Sequence, residues 1–174
     1  AVEPVNLARD GSFDQPILAG GPNVATGTWA SANGMHSAMG MACANLPAGA
    51  STTLSAVQYI GPARAGARYV LYCEARADSG TSDQATIAEA RIVAGPDLHP
   101  VGEAIVVQAE PGKTMPWHAA AVEIPPAALR VAAEQGEDLY VQLVARTDAG
   151  QGTPPPDAQA FVRFDHVVLL GCGK

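Results

Sequence analysis

Short apolar segments, each closed off by Gly, Pro, Asn or Asp, recur along most of this chain, and that spacing limits its fold more than any other feature. A helix needs apolar residues at every third or fourth position over three turns or more, whereas runs this short, punctuated by turn residues, suit strands. The clearest strand segments are "STTLSAVQYI", "ARYVLYCEARA", "QATIAEARIVAG", "EAIVVQA", "WHAAAVEI", "DLYVQLVAR" and "AFVRFDHVVLL". "IGPARAGA", "AGPDLHPVG", "AEPGKTMP" and "DAGQGTPPPDAQ" separate them and are predicted to be loops, because Pro lacks the N–H a strand would use and Gly populates angles a strand avoids. One segment, "PPAALRVAAEQGED", is rich in helix formers, and a short helical turn is predicted after Pro126, stopped by Gly136. The expected fold is all-β: a many-stranded antiparallel sandwich or barrel, one domain over residues 1–174, with at most that short helical turn.

Alternation assigns faces. In "RYVLYCEAR" it puts Tyr69, Leu71, Cys73 and Ala75 on one side, predicted to be core, and Tyr72, Glu74 and Arg76 on the other. In "LYVQLVAR" it separates Leu139, Val141, Leu143 and Ala145 from Tyr140, Gln142, Val144 and Arg146. The last segment is apolar on both faces except at Arg163, Asp165 and His166, which predicts a central or covered strand.

Charge narrows the partners. With ten basic residues scattered among seventeen acidic ones and a net charge of −7, no phosphate-tracking surface is expected, and no nucleic-acid partner. No apolar run approaches the ~20 residues of a membrane helix, and no lipidation signal is visible. The opening "AVEP" fits a mature terminus left by signal cleavage, so a secreted, extracellular or periplasmic location is expected. Cys43, Cys73 and Cys172 make an odd count without a CxxC spacing. One disulfide plus a free thiol and three buried thiols both stay open, and Cys43–Cys172 is one pairing to test.

The order of motifs resembles the jelly-roll carbohydrate-binding modules of the four, nine and twenty-two type, a galactose-binding-like β-sandwich group. Their N-L-x-x-N-G-S-F-E start is matched by "NLARDGSFD", the x-L-x-Q-x-(V/I) strand by "TLSAVQYI", and the G-x-x-Y-x-L-S-F strand by "AGARYVLYCEA". The lone Trp opening a later strand is matched in "MPWHAAAVEI", and the F-D-D-V-x-L ending in "FDHVVLLG". The resemblance implies non-catalytic binding of a soluble polysaccharide or oligosaccharide in a groove on one sheet. It also implies a structural Ca²⁺ held by Asp14 and Asp165, with Asp10 as a helper, which would join the two ends of the chain; such an ion takes six to eight oxygen ligands. Two departures stand out: Asp14 replaces the usual Glu, and His166 stands where a second Asp is common.

A sugar offers apolar CH faces ringed by hydroxyls, so its site needs aromatic platforms and planar hydrogen-bonding groups. The candidates are Trp29 in "TGTWASANG", Trp117, the Tyr72, Glu74, Arg76 face and the Tyr140, Gln142, Arg146 face, with Glu89 and Arg91 as further polar groups. If both Tyr-bearing faces share one sheet they form one groove. The implied partners are a glycan and an attached enzyme or cell-surface domain.

Three other readings use the same residues. Met35, His36, Met39, Met41 and Cys43 are donors of the kind copper prefers, with Met39, Met41 and Cys43 expected on one strand face. Glu74 and Glu89 would serve a glycosidase if they faced each other across a substrate, although no local catalytic signature accompanies them. The doubly apolar last strand and "HAAAVEI" suit a structural or adhesive extracellular domain that binds protein or assembles into a homo-oligomer.

Overall fold

The structure, a computed structural model, describes residues 3–22, 28–47, 49, 51–148 and 158–172, with the side chain of Cys172 outside the described set. Most of the predicted loop "DAGQGTPPPDAQ" also lies outside it. In chain order the elements are β1 (Val5–Asn6), β2 (Leu18–Ala19), β3 (Ala30–Ser31), β4 (His36–Ala38), β5 (Met41–Pro47), β6 (Thr52–Pro62), β7 (Arg68–Asp78), β8 (Thr86–Ala94), β9 (His99–Ala109), β10 (Thr114–Ile124), α1 (Pro126–Glu134), β11 (Asp138–Thr147) and β12 (Gln159–Cys172). They form the two sheets of a jelly-roll sandwich. Sheet I runs β10-β7-β12-β5-β4, with β1 also on β12, and sheet II runs β2-β3-β6-β11-β8-β9.

Each predicted strand segment is a strand. The last is central in sheet I, between β7 and β5, which explains its two apolar faces. Two strands are longer than their apolar runs suggest: β9 reaches back through Pro100 and β10 through Pro116. Both are the outer strands of their sheets, where a residue without an N–H leaves no ladder position unfilled. The helix forms as expected, with Pro125 before it and Pro126 in its first turn. It closes with Gly136 at φ 65, where the Gly136 N–H bonds Ala133 O and the Glu137 N–H bonds Ala132 O, a Schellman end.

The core lies between the sheets. The alternation holds on both strands tested, since Tyr69, Leu71, Cys73 and Ala75 from β7 and Leu139, Val141, Leu143 and Ala145 from β11 are all buried in it. Leu46, Ile92 and Phe164 fill the space between them. One end is closed by residues 5–15, which cross from one sheet to the other. Val5 and Asn6 pair with Gly171 and Leu170 of β12, the Asn6 side chain accepts the Leu169 N–H at 3.1 Å, and the Leu7 N–H bonds Leu169 O at 2.7 Å. Further along, buried Gln58 of β6 clamps the backbone of Arg9, its amide donating to Arg9 O at 2.6 Å and accepting the Arg9 N–H at 2.9 Å. A buried amide that satisfies both polar groups of one residue acts as a strand partner made from a side chain.

Cys43 and Cys73 are free thiols and both are buried, so the Cys43–Cys172 pairing is not made. The register shows why: Cys43 stands opposite Arg163, nine residues along β12 from position 172, which stands opposite Arg68. Burial pushes the Cys73 thiol up to about 12, which keeps it neutral and unreactive.

Candidate functional site

The two Tyr-bearing faces lie on different sheets. Tyr72, Glu74 and Arg76 point outward from β7 in sheet I, and Tyr140, Gln142 and Arg146 point outward from β11 in sheet II. They face opposite sides of the sandwich, so the single shared groove does not form, and each face stands as a separate candidate. The same separation removes the carboxylate pair of a glycosidase: Glu74 faces out from sheet I and Glu89 from sheet II.

Across sheet II the outward residues line up in rows fixed by register. Tyr140 stands between Tyr59 and Val93, Gln142 between Val57 and Arg91, Val144 between Ser55 and Glu89, and Arg146 between Thr53 and Ile87. Tyr59 and Tyr140 meet as tilted rings with centroids 5.6 Å apart. Arg91 Nε donates to Gln142 Oε1 at 2.8 Å, and Arg146 Nε to Glu89 Oε1 at 2.9 Å. Although it faces away from the core, this surface is recessed: Val57 is 6%, and Tyr140 and Gln142 each 8%, exposed. The result is two tilted aromatic rings next to a row of amide, guanidinium and carboxylate groups that hydrogen-bond one another. Tyr59 was not among the sequence candidates; alternation in "TLSAVQYI", with Ala56 and Gln58 inward, was the signal that would have found it.

Sheet I offers a different face. Arg76, Asp78, Phe161 and Arg163 line a shallow hollow of about 130 Å³, with the Arg163 guanidinium 5.0 Å from the centre of the Phe161 ring. Further along, β12 carries a bulge between Asp165 and Val168 against β7. His166 is the extra residue, at φ 49, and the bulge turns two consecutive side chains outward while Phe164 and Val167 on either side stay buried. Simple alternation would have put Asp165 and His166 on opposite faces. Both stand beside Glu74: His166 Nδ1 contacts Glu74 Oε2 and lies 3.5 Å from Asp165 Oδ2. The Tyr72 hydroxyl donates to Glu74 Oε1 at 3.3 Å.

The two tryptophans differ in exposure. Trp29 is 2% exposed, packs on Phe13 with ring centroids 5.3 Å apart, and donates its Nε1–H to Asp10 O at 3.1 Å. It offers no ring face to a ligand; "TGTWASANG" reads as a loop, but the indole is the plug under the N-terminal crossing. Trp117 is 43% exposed, at a bulge of the outer strand β10 between Met115 and His118, away from the sheet II surface.

The seam between the chain ends exists, and two of its three carboxylates accept backbone N–H groups. Asp10 accepts the Asp14 N–H at 2.8 Å on one oxygen and the Gln15 N–H at 3.1 Å on the other, and Asp165 Oδ1 accepts the His166 N–H at 2.8 Å. Asp14 is exposed. Among the described residues, the side-chain oxygens of Asp10, Asp14 and Asp165 do not gather within 4.8 Å; the sets that do are Glu74, Asp165, His166 and Asp97, His99, Glu137. The ends are joined by backbone pairing, Asn6 and Gln58. The sulfur donors are dispersed as well. Met35 is in the core, and Met39 lies with Gly40 in the two-residue turn of the β4–β5 hairpin, at φ 54 and 72, so it shares no strand face with Met41 and Cys43.

Two histidines titrate upward. The hydrogen bond that His99 donates to Asp97, with the charges of Asp97 and Glu137, raises His99, and Glu74, then Asp165, raises His166; the His99 bond in turn lowers Asp97. A raised histidine adds stability that is complete below its ordinary 6.5 and is lost as pH rises through its folded value. The lowered Asp97 adds stability present above its ordinary 3.8 and lost as pH falls through its folded value. The melting temperature is therefore expected to be highest between those ordinary values and to fall on the alkaline side. Melting curves from pH 3 to 9 check this, and a His99→Asn, His166→Asn double variant should flatten the alkaline fall.

No family model matches the chain, and no curated protein matches it in sequence. Among solved structures, a CBM4 superposes with TM-score 0.58 at 18% identity, covering 95% of this chain and 99% of that one. The fold is that of a CBM4. An arabinose-bound α-L-arabinofuranosidase, MgGH51, superposes with TM-score 0.56 at 16% identity over 95% of this chain, which spans 26% of that larger protein. Among the described residues, no helix is long and apolar enough to cross a membrane.

Proposed function

We propose that this protein binds carbohydrate without catalysis, through the outward face of sheet II, where Tyr59 and Tyr140 supply ring surface and Gln142, Arg91, Glu89 and Arg146 supply planar hydrogen-bonding groups. The observation that carries the reading is this recessed row on a fold matched from end to end by a CBM4, a carbohydrate-binding module. The polar groups already bond one another, so their geometry is set before a ligand arrives and little ordering entropy opposes binding. A soluble chain lying along the rows suits the site better than a crystalline surface, because the rings lie in a recess and not on a flat exposed platform. Such a domain would act outside the cell, holding an attached enzyme or cell surface on its polysaccharide and so raising the local concentration.

Affinity electrophoresis against soluble xylans, β-glucans, mannans, pectins and alginate tests this. At least one polymer should retard the protein, and Tyr59→Ala and Gln142→Ala should each weaken that binding by roughly threefold to tenfold, the equivalent of one modest contact. Tyr72→Ala, on the opposite sheet, should leave it unchanged. Retardation lost in Tyr72→Ala and kept in Tyr59→Ala would move the site to sheet I. No retardation by any polymer with the fold intact would favour the adhesive reading, for which the one specific observation is β10, an outer strand with Met115 39% and Trp117 43% exposed.

A further inference from the structure

We propose that Glu74, Asp165 and His166 form a binding site for a divalent transition-metal ion of the zinc class, on the face of the sandwich opposite the glycan-binding surface and independent of it. The three donor atoms converge. His166 Nδ1 meets Glu74 Oε2 and stands 3.5 Å from Asp165 Oδ2, and all three groups lie within 4.8 Å of one another. Two ligands of a tetrahedral zinc ion with bonds of about 2.0–2.1 Å sit about 3.3 Å apart, so a metal replacing the proton at Nδ1 needs only small side-chain adjustments.

The surroundings support the same atoms. Glu74 receives the Tyr72 hydroxyl on its other oxygen, and Asp165 receives the His166 N–H on its other oxygen. Each carboxylate is thereby turned so that one oxygen faces the imidazole, an arrangement that orients metal ligands and is worth tenfold or more in affinity where it has been altered. The neighbouring strand β10 presents Ala119 opposite Glu74 and Ala121 opposite Tyr72, so no bulky or cationic side chain of that strand stands over the ring. Three arginines on the same face are engaged elsewhere: Arg68 with Glu123 at 3.1 Å, Arg76 with Asp78 at 3.6 Å, and Arg163 with the carbonyls of Ala44 and Val162. His166 is 57% exposed, which gives an ion a way in and leaves its remaining positions open to water.

The donor set selects the metal. One imidazole and two carboxylates favour zinc, nickel, cobalt or copper over calcium, which takes oxygen alone and needs six or more donors. The His166 departure from the motif is thus what changes the chemistry: the carboxylate that the resemblance assigns to calcium is shared with a nitrogen donor.

Titration calorimetry of the full chain with Zn²⁺, and Co²⁺ absorption as a second readout, tests the site. One equivalent of Zn²⁺ should bind with release of a proton, excess Ca²⁺ should not displace it, and His166→Asn and Glu74→Gln should each weaken it by about tenfold or more, while His99→Asn should not. No Zn²⁺ or Co²⁺ binding, or binding lost with His99→Asn and kept with His166→Asn, would overturn the proposal. Because the site faces away from Tyr59 and Gln142, failure here leaves the electrophoresis result unaffected, and the reverse holds.

Discussion

Trp29→Ala is expected to lower stability by about 3–5 kcal/mol, the usual range for emptying a large buried aromatic site. The indole is almost completely enclosed, contacts the Phe13 ring and bonds Asp10 O, so its loss opens a cavity under the N-terminal crossing and leaves Asp10 O with the Phe13 N–H as its remaining donor. Denaturant unfolding followed by circular dichroism measures it. Trp29→Phe keeps a ring against Phe13 but loses the N–H donor and part of the indole's bulk, so its cost should be smaller, about 1–3 kcal/mol. A Trp29→Ala protein of unchanged stability that had lost affinity for a glycan would return the residue to the ligand-binding role that its loop-like sequence suggests.

Gly11→Ala should be nearly as damaging. A Cβ at this position would stand 2.0 Å from the carbonyl oxygen of Val167 and 3.0 Å from its carbonyl carbon. These are backbone atoms of the β12 bulge, which cannot rotate away as a side chain would. The two segments would have to separate, straining the bond from the Val167 N–H to Gly11 O, now 3.0 Å, and the expected cost is about 3 kcal/mol, the upper part of the range for overpacking. Gly21→Ala is the matched control, since a Cβ there meets nothing within 4 Å, and it should melt within a degree or two of the parent. Equal melting temperatures for the two variants would mean that the N-terminal crossing is not held against the bulge as described.

The local chemistry of the chain was legible where one face of a strand is apolar and the other is not. Segments such as "RYVLYCEAR" and "LYVQLVAR" announce both the strand and its buried side, because a period of two is imposed by the pleat itself. The helix was legible for the same kind of reason, since Pro125, Pro126 and Gly136 bracket a run of good helix formers. Pro100 and Pro116 misled, because a proline breaks a central strand but not an outer one, and whether a strand is outer is a property of the sheet.

The candidate site was legible only in pieces. The residue types were readable, and Tyr140, Gln142 and Arg146 do share a surface, but sequence alone could not say that Tyr59 would stand opposite Tyr140 or that Tyr72 would face the other side of the molecule. Those are questions of which strands pair and in what register, set by contacts between residues far apart in the chain. Trp29 shows the same limit in another form: its flanking residues are those of a loop, while its burial is decided by Phe13 and Asp10, brought over it by the crossing segment. The grouping of Asp165 and His166 depends on one bulged residue, invisible to a rule of strict alternation.

The sequence by itself determined the fold class, the core faces of its long strands and the supply of aromatic, carboxylate and imidazole groups, because local propensity and pleat act on neighbouring residues. Tertiary structure alone decided which of those groups meet. Register, strand order and the β12 bulge put Glu74 with Asp165 and His166 on one side of the sandwich and Tyr59 with Tyr140 and Gln142 on the other. Those distances are set by packing two sheets against a common core, a condition no short stretch of chain can encode.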